Sequence, residues 1–318
     1  MNIVMLEPLG VDKEVIDRLS KPFMDKGHRF TPCFEKINNK DEIIKRASEA
    51  DILIIANSPL DGDVIEACPN LKMISVAFTG IDHIDIKTCK EKNILISNAA
   101  GYCTDAVAEL TFGLILNLLR NIKDCDNATR DGKTKSGFIG NELFNKTIGI
   151  IGTGAIGFKV AKVARAFDCK VLAHSRTEKK EVIDLGVEYV SLEKLLKESD
   201  IVTIHTPLTN KTKNLIDKEK LDLMKPSSIL INVARGPVVD SEALAKALND
   251  ENIAGAGIDV YEMEPPIPRD HPLLSAKNMI LTPHVAFATH ESIERRATIT
   301  FENISAWMEN KPQNIMLK

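Results

Sequence analysis

The chain has 318 residues, of which 41 are Lys or Arg and 45 are Asp or Glu, and its formal net charge is −4. This length allows two domains of ordinary size, each with a hydrophobic core of its own. The sequence has no long basic block, so we expect neither nucleic acid nor an anionic membrane surface as a partner.

The amino terminus and the cysteines favour a cytoplasmic protein. The first residues lack the basic start of a signal peptide, and their apolar run ends at Glu7 and Pro8, so they predict a first strand. No apolar stretch is long enough to span a bilayer. The six cysteines are dispersed and form no Cys-x-x-Cys pair, which is typical of reduced thiols and predicts no metal site.

The first hundred residues alternate short apolar runs with helical patterns. The runs predict strands at residues 2–6, 51–56, 72–76 and 93–97, and the patterns predict helices at 12–19, 40–50 and 82–92. Such alternation is typical of a parallel sheet covered on both faces. A long helix then follows at 104–122, with Thr104 as its N-cap.

A second α/β series begins at Thr147, after a polar stretch at residues 130–137. Its predicted strands are 147–152, 170–174, 201–205, 228–233, 254–260 and 279–281, and residues 290–309 predict a final amphipathic helix. We therefore expect two doubly wound parallel-sheet α/β domains with a cleft between them, the last helix crossing back to the first. The predicted boundaries are 1–99 plus 286–318 for one domain and 100–285 for the other.

The second series opens with a glycine-rich turn between an apolar strand and a helical pattern. Gly152 allows a tight turn, Gly154 lets the backbone approach a pyrophosphate, and Gly157 lets the helix pack close to the sheet. The first helical residues, Ala155 and Ile156, then offer N–H groups to phosphates. The segment predicts dinucleotide binding, and an ordinary strand-to-helix turn is the alternative.

Three later segments carry side chains suited to acid–base chemistry. Arg235 and His284 each follow an apolar strand, at the carboxyl end where α/β proteins bind ligands, and Glu264 lies between them in sequence. Each has a plainer interpretation when it is taken alone. The histidine can be partly buried at a strand end, the arginine can pair with an acid, and the glutamate can be an exposed loop carboxylate.

Together with the glycine turn, these segments resemble the D-2-hydroxyacid dehydrogenase family over nearly the whole chain. The motifs that carry the resemblance lie, in order, at residues 107–109, 140–143, 152–157, 205–209, 233–236, 259–260, 264–265 and 282–284. The resemblance implies a Rossmann-type cofactor domain inserted in a flavodoxin-like substrate domain. It also implies a homodimer joined through the segment around residues 105–145.

The resemblance implies that Arg235, Glu264 and His284 form the catalytic set. A guanidinium can bind the carboxylate of a 2-oxo acid and polarise its carbonyl. His284 can give a proton to the carbonyl oxygen during reduction and take one during oxidation. Glu264 can hydrogen-bond the imidazolium and favour its charged form.

In the first domain, residues 76–82 resemble the family's substrate loop. This implies that the backbone N–H groups of Thr79 and Gly80 bind the substrate carboxylate, and Phe78 and Phe287 can shape the side-chain pocket. The alternatives are core packing for the two phenylalanines and a strand–turn–helix with Asp82 as N-cap. His83 and His290 are interpreted as solvent-facing or packing residues.

The residues after the strand at 170–174 bear on the choice of cofactor. NAD-using members usually carry an acid where Ser175 stands, to bind the ribose diol. Ser175, Arg176 and the nearby Lys179 and Lys180 instead favour a 2′-phosphate, so we expect NADP(H), with NAD(H) possible. In the alternative, Arg176 stacks on the adenine and NAD binds without an acidic partner.

Further cofactor contacts follow from the resemblance alone. It places Thr104 near the phosphates or the nicotinamide, and His205, Thr206 and Pro207 along the adenosine. It assigns Val233, with Ala234 beside it, and Asp259 to the carboxamide. Asp259 has a competing interpretation as an ordinary polar residue at a strand end.

The aromatic residue in the run 286–289 is typical of the glycerate dehydrogenase and hydroxypyruvate or glyoxylate reductase branch. We therefore expect reduction of a small 2-oxo acid of that type. D-lactate or 2-oxoisocaproate-type activity and 3-phosphoglycerate dehydrogenation are the alternatives within the family. A protein that binds a dinucleotide without catalysis is the alternative from a different class.

Overall fold

A computed structural model of the chain describes residues 1–318, and they divide into two compact units. Unit 1 comprises Met1–Cys103 and Ala288–Lys318, and unit 2 comprises Thr104–Phe287. Unit 1 is therefore built from both ends of the chain, and unit 2 from one continuous segment.

Unit 1 contains a six-stranded sheet in the order β13-β5-β4-β3-β1-β2. Its strands are β1 Asn2–Met5, β2 Arg29–Thr31, β3 Ile52–Ile55, β4 Met73–Val76, β5 Leu95–Asn98 and β13 Ile315–Leu317. Its helices are α1 Lys13–Asp25, α2 Lys40–Ala47, α3 Gly62–Glu66, α4 Ile86–Glu91 and α12 His290–Met308. Every residue of β3 and β4 is buried, as expected for strands of a parallel sheet covered on both faces.

Two strands of unit 1 were not predicted. β2 is three residues long and pairs in parallel with β1, and β13 pairs with β5 in the antiparallel sense. Both lie at an edge of the sheet, where little apolar surface is buried.

The helix predicted from residue 82 begins at Ile86, and its N-cap is Asp85, whose side chain accepts from the backbone N–H groups of Lys87 and Thr88. Asp82 as the N-cap was therefore wrong.

Unit 2 contains a seven-stranded parallel sheet in the order β12-β11-β10-β9-β6-β7-β8. Its strands are β6 Thr147–Ile151, β7 Lys170–His174, β8 Glu188–Tyr189, β9 Ile201–Ile204, β10 Ile229–Asn232, β11 Gly255–Ile258 and β12 Met279–Leu281. Its α-helices are α5 Thr104–Arg120, α6 Ile122–Arg130, α7 Ala155–Ala166, α8 Lys180–Ile183, α9 Leu192–Glu198, α10 Lys218–Leu221 and α11 Ser241–Asn249. Two short 3₁₀ helices lie at Gly236–Val238 and Pro272–Leu274.

The strand order of unit 2 reverses between β6 and β9, which are neighbours in the sheet. In an open α/β sheet, ligands bind outside the carboxyl ends of the strands at such a switch point. The glycine turn follows β6 and His205 follows β9, so both lie at this point. The prediction of two α/β domains with parallel sheets is confirmed, and the Rossmann-like order belongs to unit 2.

The long helix predicted at 104–122 corresponds to α5, and the helix that follows it, α6, was not predicted. α5 begins with Thr104 as its first helical residue, not as its N-cap, and ends at Arg120. Asn121 then takes a left-handed conformation with φ of 51°, which ends the helix and starts α6. Asparagine is among the few residues that adopt this conformation readily. None of the helices is both long enough and apolar enough to cross a membrane.

Candidate functional site

The turn after β6 has the geometry that a dinucleotide-binding loop needs. Gly152 has φ of +96°, and a Cβ built there would lie 2.6 Å from the carbonyl oxygen of His205. A Cβ at Gly157 would overlap the carbonyl oxygen of Gly152. Side chains at these two positions would therefore push the turn away from β9 and α7 away from the sheet.

The N-terminus of α7 is the part of this turn that can bind an anion. Gly154 is its N-cap and has no side-chain capping bond, and a Cβ built there meets no atom within 4 Å. The N–H groups of the first turn, including those of Ala155 and Ile156, have no partner inside the helix and lie at its positive end. The residues present therefore fit a pyrophosphate.

The segment after β7 carries the predicted selectivity residues. Ser175 is half-buried and Arg176 is exposed. His174, the last residue of β7, pairs through Nδ1 with the carbonyl oxygen of Val190 at 3.1 Å. The segment therefore starts from a fixed strand end and presents a hydroxyl and a guanidinium.

His205 lies across the switch point from the glycine turn. Burial lowers the pKa of its imidazole from 6.5 to about 3, so the ring is neutral at neutral pH. Its Nε2 lies 2.9 Å from the hydroxyl of Thr203 on β9. Thr206 is half-buried and Pro207 is exposed beyond it, so a neutral, partly apolar wall faces this side of the turn.

The three residues predicted to be catalytic follow three strands that are neighbours in the sheet, β10, β11 and β12. Arg235 is held close to its strand by Asn232. The side chain of Asn232 donates to the carbonyl oxygen of Arg235 at 3.0 Å and accepts from the N–H of Ala234 at 3.1 Å. Val233 is buried between them, so the turn that carries the guanidinium is ordered by hydrogen bonds to β10.

Tyr261 joins the loops that follow these strands. Its hydroxyl donates to the carbonyl oxygen of Thr282 at 3.1 Å, in the segment that leads to His284. A Cβ at Gly236 would overlap the backbone of Tyr261, so the arginine loop packs directly against the glutamate loop. Burial raises the pKa of Tyr261 to about 12, which keeps its hydroxyl protonated. Tyr261 and Gly236 were not among the predicted site residues.

His284 and Glu264 form a hydrogen-bonded pair. The Nδ1 atom of His284 lies 2.9 Å from each carboxylate oxygen of Glu264. The side chain of His284 is 16% exposed and that of Glu264 is 56% exposed. A carboxylate on Nδ1 leaves Nε2 to exchange a proton with a ligand.

The backbone of His284 is in the left-handed region, with φ of 57°. Histidine adopts this conformation at a cost, and such residues cluster at functional sites. The ring of Phe287 stands edge-on to the imidazole, with the ring centroids 5.4 Å apart. Phe287 therefore contacts a predicted catalytic side chain and is also half-buried.

Asp259 is fully buried and holds the loop that carries His284. Its side chain accepts from the hydroxyl of Thr282 at 2.6 Å and from the N–H groups of Val285 and Ala286 at 2.8 and 2.9 Å. Its backbone oxygen accepts from the N–H of His284 at 2.8 Å. Burial raises the pKa of Asp259, against the opposing effect of these hydrogen bonds. Within the chain, Asp259 therefore acts as a polar residue at a strand end that orders the loop after β12.

A second histidine–glutamate pair anchors the loop that carries Glu264. His271 is buried, and its Nε2 lies 3.0 Å from a carboxylate oxygen of Glu262. The ring of His271 also packs edge-on against Tyr261. This pair was not predicted, because its members are nine residues apart and form no motif.

The predicted substrate loop of unit 1 follows β4. Phe78 is 7% exposed and packs against Tyr102, which is the packing alternative for this residue. Thr79 is exposed, and Gly80 is half-buried. The side chain of buried Asn98 donates to the carbonyl oxygen of Thr79 at 2.6 Å, and Asn303 donates to the carbonyl oxygen of Asn98 at 2.8 Å.

The loop is therefore fixed from the end of β5 by a contact that was not predicted. The sequence did contain a signal for this contact, because an asparagine at the end of a buried strand needs a hydrogen-bond partner.

Most of unit 2 matches a known protein family. Residues 112–286 match the family model described as "D-isomer specific 2-hydroxyacid dehydrogenase, NAD binding domain". A glyoxylate reductase of Korarchaeum cryptofilum is 40% identical over 286 residues, which are 87% of this chain and 86% of that protein. The chain belongs to the D-isomer specific 2-hydroxyacid dehydrogenase family.

Solved structures of similar proteins cover both units. An acyclic imino acid reductase in complex with NADPH and D-arginine is 31% identical, has a TM-score of 0.90 and matches 100% of both chains. A D-lactate dehydrogenase from Aquifex aeolicus, complexed with NAD and lactic acid, is 30% identical with a TM-score of 0.86. That match covers 98% of this chain and 96% of the other.

Membership of the dehydrogenase family identifies the chain as an NAD(P)-dependent oxidoreductase that acts on the CH–OH group of a 2-hydroxy acid. The predicted enzyme class is therefore confirmed. The alternative of a dinucleotide-binding protein without catalysis is set aside. The nicotinamide cofactor fits the glycine turn and the N-terminus of α7 described above.

Proposed function

We propose that this dehydrogenase reduces a small 2-oxo acid of the glyoxylate or hydroxypyruvate type to the D-2-hydroxy acid. The observation that carries the proposal is the His284–Glu264 pair at 2.9 Å. It joins the loops that follow β12 and β11, and β11 is the neighbour of β10, the strand that leads to Arg235. The name of the 40% identical relative, glyoxylate reductase, supports the same substrate class. The edge-on ring of Phe287 beside His284 favours a small substituent on the 2-oxo acid.

Each of the three side chains has a defined role in this proposal. Arg235 binds the substrate carboxylate and polarises the carbonyl with its fork of N–H donors. The bound nicotinamide dinucleotide supplies the hydride that reduces the carbonyl carbon. His284 gives a proton from Nε2 to the carbonyl oxygen, and Glu264 stabilises the imidazolium before that transfer. In the substrate loop, the backbone N–H groups of Thr79 and Gly80 bind the substrate carboxylate.

D-lactate-type activity on pyruvate or 2-oxoisocaproate is the second candidate. It is favoured by the likeness to the Aquifex aeolicus D-lactate dehydrogenase, at 30% identity over 98% of the chain. The catalytic residues have the same tasks in both, so only the side-chain pocket separates the two. Oxidation of 3-phosphoglycerate ranks third.

The substrate proposal is tested by the initial rate of reduced-cofactor oxidation with glyoxylate, hydroxypyruvate, pyruvate and 2-oxoisocaproate. We expect the highest kcat/KM with glyoxylate or hydroxypyruvate. A higher kcat/KM with pyruvate or 2-oxoisocaproate would replace the first candidate by the second. Chiral analysis of the glycerate formed from hydroxypyruvate checks that the product is the D isomer.

We further propose that the enzyme prefers NADP(H). Ser175 can donate a hydrogen bond to a 2′-phosphate, and the exposed Arg176 can pair with it. No acidic side chain stands at position 175 to bind the ribose diol or to repel the phosphate. The imino acid reductase that shares 31% identity was solved with NADPH, whereas the Aquifex aeolicus enzyme was solved with NAD.

We propose that the enzyme forms a homodimer through the segment around residues 105–145. Three large apolar side chains of this segment are exposed: Ile122 at 51%, Ile139 at 94% and Phe144 at 56%. A group of exposed apolar side chains is typical of a protein–protein interface. Burial against a second copy would remove this apolar surface from water.

A further inference from the structure

One hydroxyl, that of Tyr189, connects two segments of the predicted cofactor site. Tyr189 ends β8, the short edge strand of unit 2, where it is paired with Ala173 of β7. Its hydroxyl lies 2.8 Å from the hydroxyl of Thr153, in the middle of the glycine turn. The same hydroxyl accepts the backbone N–H of Lys179 at 3.2 Å. A phenol has one donor and two acceptor positions, so it can make both bonds together.

The Lys179 bond closes the segment that carries Ser175 and Arg176. At the start of this segment, the end of β7 is fixed, because Nδ1 of His174 lies 3.1 Å from the carbonyl oxygen of Val190. At its end, the backbone of Lys179 is fixed by Tyr189. Residues 175–178 therefore form a short loop with both ends attached to β8 or to the residue after it.

The Thr153 bond sets the position of this loop relative to the glycine turn. Thr153 is 1% exposed, so its hydroxyl is part of the buried side of that turn. In a dinucleotide the pyrophosphate and the adenosine ribose are covalently linked. A site that binds the pyrophosphate at the turn and a 2′-phosphate at Arg176 therefore needs a fixed spacing between the two.

We propose that the Tyr189 hydroxyl is a positioning group that holds residues 175–179 in the conformation that binds the 2′-phosphate of NADP(H). This inference rests on the proposed preference for NADP(H). An ordered loop loses less conformational entropy when its serine and arginine bind a phosphate, so the ligand binds more tightly. A ligand without the 2′-phosphate does not use these side chains and gains little from their order.

A merely structural role of Tyr189 makes a different prediction. If the phenol only stabilises the edge strand, its loss affects ligands with and without a 2′-phosphate equally. The comparison of two ligands that differ in this phosphate therefore separates the two roles. Adenosine 2′,5′-bisphosphate and 5′-AMP are suitable, because they differ only in the 2′-phosphate.

The experiment measures the Kd of both ligands by calorimetry for the full-length wild type, Tyr189→Phe and Thr153→Val. We expect Tyr189→Phe to weaken the binding of the bisphosphate by about three- to tenfold, which is the effect of losing hydrogen bonds of ordinary strength. The same variant should weaken the binding of 5′-AMP by less than about twofold. Thr153→Val keeps the Lys179 bond, so we expect a smaller loss of selectivity. Equal losses of affinity for both ligands, or no loss for either, would overturn the inference about Tyr189. In that case a wild type that prefers the bisphosphate would still support the NADP(H) proposal.

A wild type that binds the two ligands equally would overturn the NADP(H) proposal and this inference together. Hydrogen exchange of the wild type gives a check that needs no variant. The Lys179 amide should be protected without ligand, and an amide that exchanges as fast as that of an unstructured loop contradicts the inference.

Discussion

At the residue scale, the conformation of His284 depends on hydrogen bonds to a buried neighbour, Asp259. A left-handed histidine costs on the order of 1–3 kcal/mol, and it persists only where its surroundings hold it. Asp259 does so with its backbone oxygen on His284 and its carboxylate on the next two N–H groups. The proton donor is therefore preorganised by buried hydrogen bonds rather than by its own preference.

We predict that Asp259→Asn destabilises the protein by about 1–3 kcal/mol, because an amide NH₂ would face backbone N–H donors and leave buried groups unsatisfied. The free energy of unfolding in urea measures the change. Asp250→Asn, at an exposed position after α11, is the matched control and should leave that free energy unchanged within about 0.5 kcal/mol. A loss as small as that of the control would show that the loop does not depend on Asp259.

We predict that His284→Gln lowers kcat for reduction by roughly 10²–10⁴-fold, the usual contribution of a general acid. Glu264→Gln should lower kcat by a smaller factor, on the order of ten- to a hundredfold, because it removes one charge-assisted hydrogen bond. Steady-state rates with glyoxylate measure both. His290→Gln, an exposed histidine at the start of α12, should keep wild-type kcat. Wild-type kcat in His284→Gln would exclude His284 as the proton donor.

The sequence could predict that Arg235 and His284 follow strands at the same edge of a sheet, because the carboxyl ends of parallel strands share one edge. It could not predict the contacts that position them. Tyr261, Asn98 and His271 each act through a partner that is distant in sequence or lies in no motif. Only the folded backbone brings such partners within hydrogen-bond distance.

At the element scale, the buried strands were the easiest to predict, since a short apolar run bounded by polar residues is typical of a strand with both faces covered. The strands that were missed, β2, β8 and β13, have two or three residues each and lie at sheet edges. The helix α6 was not predicted, because its residues are mostly polar and exposed and only one of them, Ala128, is buried. Local sequence alone did not reveal it.

The loop after β7 gives the prediction for cofactor choice. The double variant Ser175→Asp with Arg176→Gln should shift the ratio of kcat/KM for NADPH over NADH toward NADH by at least about tenfold. The new carboxylate can bind a ribose diol and repels a 2′-phosphate, and the lost guanidinium no longer pairs with it. Lys197→Gln, which removes an exposed charge from α9, is the control for charge alone. An unchanged ratio in the double variant would contradict the role assigned to this loop.

At the scale of the whole molecule, each unit has a sheet of its own, and the chain returns to unit 1 through α12 and β13. The C-terminal strand pairs with β5, and Asn314 donates to the side chain of Asn303 at 2.9 Å. Because Asn303 binds Asn98, and Asn98 binds the substrate loop, the end of the chain contributes to the order of that loop. The alternation of strands and helices predicted the two-sheet architecture, but not this contact.

The proposed homodimer gives the prediction at this scale. Ile139→Asp should shift the molecular mass in solution toward that of the monomer, because a charge replaces an apolar side chain that is 94% exposed in the single chain. Light scattering after gel filtration measures the mass. Ile183→Asp replaces another exposed isoleucine, on α8, and should keep the mass of the wild type. Equal masses for both variants would place the interface elsewhere or show that the enzyme is a monomer.

The central claim is that His284, paired with Glu264, moves the proton that accompanies hydride transfer. It is tested most directly by the pH dependence of kcat/KM in both directions, with hydroxypyruvate for reduction and D-glycerate for oxidation. Reduction needs the protonated imidazole, so its kcat/KM should fall as pH rises, whereas oxidation needs the neutral ring and should fall as pH decreases. Two optima, with reduction at the more acid pH, are the predicted result. Coincident profiles in the two directions would contradict the role of His284.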